Sequence, residues 1–293
     1  MRALLTTRSP YLERRRHRAA WFRIFCGAMT CLGLAMLAVL LWRLGAAGLP
    51  WLDAQFLTSF PSRFAHKAGL LSALAGSAWI VAITAAVAIP VGVGSAIYLE
   101  EYAPRNRATE ILEINLANLA GIPSILYGIL GLAVFGRWLG LGQSVLAGAL
   151  TMALLVLPVI VVAAREAIRA VPATLRHAAF ALGASRWLVV RDHVLPAATP
   201  GILTGVILAL SRAIGESAPL IVVGAVGYIA FVPETPMDEF TALPIQIFNW
   251  ASRPQPEFQG IAAAAILVLL AMLMFMNAGA VWIRHRAGGN RPW

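Results

Sequence analysis

The sequence predicts an all-α, polytopic membrane protein with about six transmembrane helices, and three observations carry that reading. Hydrophobic residues make up 60% of the 293 and charged residues only 12%, against about 25% charged in an ordinary soluble domain. The charges collect in short segments that separate apolar stretches of membrane-spanning length. The basic residues are also divided unequally between alternate segments, as they are in proteins threaded through a membrane.

Taken in chain order, the first element is a basic tail, residues 1–23, with the run Arg14–Arg16 and Arg18. The apolar stretch Ile24–Trp42 follows, and 24–46 reads as the first transmembrane helix. A secretory signal is the alternative, since Ala46-Ala47-Gly48 would suit a cleavage site. The stretch is longer than the roughly 7–15 residues of a signal core, which favours an uncleaved helix. Cys26 and Cys31 fall inside it, so no disulfide framework is expected.

Further stretches run from 68 to 99, 114 to 136, 138 to 164, 194 to 233 and 258 to 283. The 194–233 stretch is broken only by Arg212 and Glu216. At 1.5 Å per residue, each supplies one span. Pro90, Pro123, Pro158 and Pro219 lie within spans, where a bundle tolerates proline and bends around a pathway. Residues 68–283 form the core, and 284–293 a second basic tail.

Six spans put both termini on one side. Segments 1–23, 100–113, 165–193 and 284–293 hold 17 of the 23 basic residues, so they are expected to face the cytoplasm. A net charge of +10 would suggest nucleic acid if the chain were soluble. Dispersed among membrane loops it points to lipid, and no nucleic-acid partner is expected. Segment 233–257 carries five prolines and reads as an irregular extracytoplasmic loop with a short helix around Pro244–Trp250. It either docks a soluble partner or merely connects two spans.

No catalytic, cofactor or metal site is legible. The only lysine, Lys67, follows His66 rather than a glycine, so no phosphate-cradling P-loop exists. Histidines 66, 177, 193 and 285 are scattered, with no metal-ligand spacing.

Segment 165–197 is the most informative loop. Pro172 suits a helix start, and Leu175, Ala178, Ala179 and Leu182 share one face, with Arg176 and His177 turned elsewhere. Gly183 fits a left-handed C-terminal position, and Ser185 caps a second short helix expected to end before Pro196. The product is a small knob beneath the membrane, or else an interfacial helix lying on lipid. Ala178-Ala179, then Gly183, then Leu195-Pro196 resembles the "EAA" loop of ABC importer permeases, with His177 in place of the usual Glu and His193 in place of the usual Ile. The resemblance implies that the knob inserts into a groove on a separate ATPase subunit.

Arg212 and Glu216 stand four apart, within reach of each other on a helix. An arginine near the bilayer centre costs on the order of 3 kcal/mol, so it is paired, faces water, or both. Its planar fork of donors matches phosphate or carboxylate oxygens. The functional reading is an anion pathway past Arg212, with Glu216 neutralising it when empty. The bland reading is a buried structural pair. Asn115, Asn118, Ser211 and Ser217 either line a pathway or bond within the bundle.

The segment Ser211-Arg212-Ala213-Ile214-Gly215-Glu216-Ser217-Ala218-Pro219-Leu220 resembles the signature of the PstA-type phosphate permeases. The likeness extends to Ala96–Pro104, Asn118–Ser124 and Asn249–Pro254, and covers residues 68–283. It implies a type I ABC importer (MetI-like) bundle in the bacterial inner membrane. The implied partners are a homologous permease (PstC), two copies of the ATPase PstB, and the phosphate-binding protein PstS. A permease for sulfate, molybdate or tungstate is the near rival, and a membrane-embedded enzyme or scaffold the remote one.

Overall fold

A computed structural model of the chain describes residues 10–104, 106–225 and 227–288, so the outermost positions of both expected tails lie outside the described residues. Helix α1 runs Pro10–Gly48 and therefore begins well before the first apolar stretch. Short α2 (Ala54–Thr58) is capped by Asp53, whose side chain accepts from the Phe56 N–H. Helix α3 (Leu71–Ile97) continues through a π turn, Tyr98–Tyr102. Pro90 removes one of its internal hydrogen bonds without ending it.

The third apolar stretch is not one straight helix. Helix α4 (Arg107–Ala120) is bent by 103° from the segment formed by α5 (Ser124–Gly131) and its π extension Leu132–Trp138. The cause is local: Pro123 has no N–H to continue the ladder and disfavours helical geometry at Ile122. Helix α6 is Val145–Arg169, starting later than the 138–164 stretch suggests, because Gly140 and Gly142 adopt positive φ (+69° and +63°) and Ser144 caps the helix.

Helices α7 (Ala173–Ala181) and α8 (Arg186–Val189) form the knob. From α8 the chain passes through a π turn, Val190–Val194, straight into α9 (Leu195–Gly215). The second knob helix thus does not stop before Pro196. Widening the turn ahead of that proline relieves the clash its ring would make in a regular helix. Helix α9 ends at Gly215, and α10 (Ala218–Val223) follows as a separate short helix closed by Gly224 at φ +111°. The 194–233 stretch is accordingly broken in two. Helix α11 (Leu243–Ala251) lies where the short extracytoplasmic helix was expected, and α12 spans Pro256–Gly288.

Among the described residues, five helical segments are long and apolar enough to span a membrane: Arg14–Trp51, Leu71–Tyr102, Val145–Arg169, Arg186–Gly215 and Pro256–Arg286. The bent pair counts as a sixth. Helix α6 is the buried centre, flanked by α3 and α9. Small residues set the approach: a Cβ on Gly92 would lie 2.7 Å from the Ile160 side chain, and one on Gly201 2.7 Å from Ala167. Helix α1 packs along α12 and leaves Trp21, Phe22, Met36 and Trp42 exposed, the apolar exterior that lipid or another membrane chain covers.

At the end opposite the knob, the 233–243 loop folds onto the bundle rather than standing free. Phe240 is fully buried, its ring against Gly148. The carbonyls of Asp238 and Pro236 accept from the Val145 and Leu146 N–H groups (2.9 and 2.8 Å), pairing donors that the start of α6 would otherwise leave open. Asp238 is held by the N–H groups of Thr235 and Glu234 (both 2.8 Å) and by the Thr235 hydroxyl (2.7 Å). The backbone and side-chain bonds from Thr235, then the one from Glu234, hold its carboxyl below the usual carboxylate range.

Candidate functional site

Arg212 lies in the last turn of α9, and Glu216 is the residue that terminates it. The pair forms across the helix end: Arg212 Nε donates to Glu216 Oε1 at 3.3 Å. The arginine therefore faces the negative end of the helix dipole, which favours a cation by about 0.3–1 kcal/mol. Its side chain keeps 45% of its accessible surface, and that of Glu216 20%, so this chain does not seal the charge away.

Depth follows from the packing register. Gly201 faces Ala167 and Gly205 faces Ala163, so α9 runs antiparallel to α6. Extending that register two turns brings Arg212 level with Val156, close to the middle of α6. The break at Gly121–Pro123 comes to the same depth, since Gly131 on α5 faces Thr151 on α6 and the chain there also runs antiparallel. Helices α5 and α10 then pack tightly, Gly128 against Pro219. The site is thus built where two interrupted helices meet level with the middle of α6, an arrangement that leaves helix ends and backbone groups without intrahelical partners.

The smaller polar residues divide. Ser211 bonds the Ile207 carbonyl (2.8 Å) and Asn277 Oδ1 on α12 (2.6 Å), so its hydroxyl ties helices together. Asn115 Nδ2 donates to the Ile111 carbonyl of its own helix at 2.8 Å, and Asn118 is exposed. Ser217 is half-buried beside Glu216 and makes no capping bond.

In the knob, Gly183 adopts φ +83° with nothing near its missing Cβ. Ser185 accepts from the Leu188 N–H at 3.4 Å. The expected apolar face of α7 splits. Ala179 is buried and Leu175 packs on the core, whereas Ala178 is exposed and Leu182 stands 90% accessible. Phe180, Trp187 and Leu188 are exposed beside it. Leu195 and Pro196 are half-buried at the start of α9, away from the tip.

The sequence reading missed an ion-pair cluster at the base of the knob. Arg176 donates through Nε and Nη2 to Glu101 Oε1 (3.0 and 2.8 Å), and through Nη1 and Nη2 to the carbonyls of Val171 (2.6 Å) and Ile168 (2.9 Å). Arg165 meets Glu113 (2.6 Å) and Glu100 (3.5 Å), and Arg169 meets Glu100 (3.1 Å). An open hollow of about 620 Å³ lies against this cluster, between α4 and the ends of α3 and α6. The available signal was the pair Glu100-Glu101 closing an apolar stretch, opposite a loop rich in arginine.

Comparison with known proteins places these features. Residues 88–288 match the family described as "Binding-protein-dependent transport system inner membrane component". The chain is 34% identical over 250 residues to the "Probable ABC transporter permease protein YqgI" of Bacillus subtilis (strain 168), covering 80% of this chain and 84% of that protein. It is 34% identical over 248 residues to the "Phosphate transport system permease protein PstA 1" of Mycobacterium tuberculosis (strain ATCC 25618 / H37Rv), covering 82% and 77%. In fold it resembles a chain of a bacterial alginate ABC transporter solved with a pentasaccharide-bound periplasmic protein. The TM-score is 0.69 at 13% identity, over 97% of this chain and 99% of that one.

Proposed function

Because the chain belongs to the binding-protein-dependent transport system inner membrane component family, a non-catalytic multi-pass membrane subunit of ABC importers, we propose that it is the phosphate-translocating permease of a PstA-type importer. Its ATP is hydrolysed by a partner subunit and its solute delivered by a binding protein. The finer reading gives those partners as a PstC-like permease, two PstB-like ATPases and a PstS-like binding protein. Residues 165–197 with both termini then lie in the cytoplasm, following the basic-residue bias.

The observation that carries the phosphate reading is the half-accessible side chain of Arg212, held level with the middle of α6 where two helices break. An unsealed arginine at that depth is tolerable when water and an anion reach it, and its fork suits a tetrahedral oxyanion. Relatives named for phosphate transport at comparable identity favour phosphate over the other oxyanions. Alanines 178 and 179, Gly183, Leu195 and Pro196 shape the loop that docks the ATPase, presenting Leu182 and Phe180 at its tip.

The assembled complex in proteoliposomes, loaded with ATP inside and binding protein outside, provides the test. Uptake of labelled phosphate that resists excess sulfate, molybdate and tungstate is the expected result. Uptake abolished by one of those competitors, with that anion itself accumulated, would reassign the substrate.

A further inference from the structure

The inner end of α3 gathers contacts from both helices of the coupling loop. Arg176 of α7 holds Glu101, and the Arg186 guanidinium of α8 sits 5.2 Å from the ring centroid of Tyr102. Glu101 and Tyr102 are neighbours in the π turn that ends α3. The Arg176–Glu101 contact is mostly buried, with side-chain exposures of 18% and 11%, so it is less screened than a surface pair. The same guanidinium takes the Val171 and Ile168 carbonyls at the end of α6. One side chain thereby joins the loop to two membrane helices.

The outer end of α3 is fastened as well. Ser77 Oγ accepts from the Leu243 N–H at 2.8 Å, and Trp79 Nε1 donates to the Pro233 carbonyl at 3.1 Å. Those two bonds hold both ends of the 233–243 segment. Between them α3 runs unbroken beside α6, where Thr84 Oγ1 donates to the Ala149 carbonyl at 3.1 Å.

We propose that α3 is the lever by which movement of the coupling loop reaches the extracytoplasmic loop, with Glu101 and Arg176 as the positioning pair at its inner end. The proposal rests on the reading of 165–197 as the ATPase-docking loop. Neither residue touches the solute or the nucleotide. What the pair supplies is stiffness: a planar fork bonded to three residues, at the ends of two helices, resists the hinge that a single contact would allow. Coupling between two sites is reciprocal in binding free energy, so whatever the pair contributes in one direction it contributes equally in the other.

The test uses the whole complex. Glu101→Ala is expected to leave the ATPase co-purifying and unstimulated hydrolysis intact. Stimulation by solute-loaded binding protein should fall at least about fivefold, the lower bound of ordinary allosteric coupling. Glu101→Gln, which keeps an acceptor oxygen, should recover part of it. Adding Arg176→Ala to Glu101→Ala should cost little more, since the pair acts as one unit. Stimulation by the Glu101→Ala complex that stays within about twofold of the parent overturns the lever. So does loss of the ATPase, which would make the pair a docking element. Crosslinking from Leu182→Cys to the ATPase reports the docking reading separately, so either idea can fail without the other.

Discussion

The cation at position 212 sits in the last turn of a helix rather than in its middle, paired with the residue that ends it. Arg212→Ala is expected to remove a charged hydrogen-bonding group worth about 2–3 kcal/mol, roughly a hundredfold in uptake at low phosphate, with the complex still assembled. Arg212→Lys should restore only part, because an ammonium offers a point charge in place of a fork. Labelled-phosphate uptake beside co-purification separates these outcomes, and unchanged uptake by the alanine variant would contradict the pathway role. At Gly183 the left-handed φ makes any branched or bulky residue costly by about 1–2 kcal/mol, although space is open. Gly183→Val should loosen coupling between hydrolysis and uptake, while Gly183→Asn should be nearly neutral. The four-residue spacing of Arg212 and Glu216 and the need for glycine at 183 were both readable from the sequence. The Arg176–Glu101 contact was not, because its partners are 75 residues apart and meet only through the fold.

Helical elements follow the hydropathy pattern except where backbone chemistry overrides it. The stretches 114–136 and 194–233 remain apolar across their breaks, so hydropathy cannot see the bend at Pro123 or the end of α9 at Gly215. Proline at 123 and the Gly215–Pro219 segment were the visible hints. Those breaks matter because they let α5 and α10 meet. Gly128→Leu, whose Cβ would stand 2.7 Å from the Pro219 backbone, should push α10 away at a cost of about 1–3 kcal/mol. A lower unfolding temperature together with weakened uptake is expected, and an unaltered pair of values would refute the role of that contact. In the 233–243 loop, Asp238 has a folded pKa below its unfolded value of about 3.9. Its contribution is therefore complete above that unfolded value and is lost as pH falls through the lower folded one. Asp238→Asn should erase this acid dependence, as followed by proteolysis of the loop between neutral and strongly acidic pH.

Taken whole, the molecule is, on the proposed function, half of a pathway. Its centre, α6, is the most buried of the long apolar helices, whereas α1 and parts of α4 and α5 present apolar and amide groups that this chain leaves uncovered. Composition and the apolar stretches made the helical architecture legible, but hydropathy alone does not separate a face that meets lipid from one that meets another membrane chain. On the proposed function, water and phosphate reach the Arg212–Glu216 pair. Gly215 lies between them, exposed and with nothing within 4 Å of an added Cβ, so a thiol there leaves both charges in place. In the assembled complex, with Cys26 and Cys31 replaced, Gly215→Cys should react with an anionic membrane-impermeant thiol reagent, and excess phosphate should slow the reaction. A thiol that stays unreactive from both faces, with and without ATP, would rule out an aqueous route to Arg212.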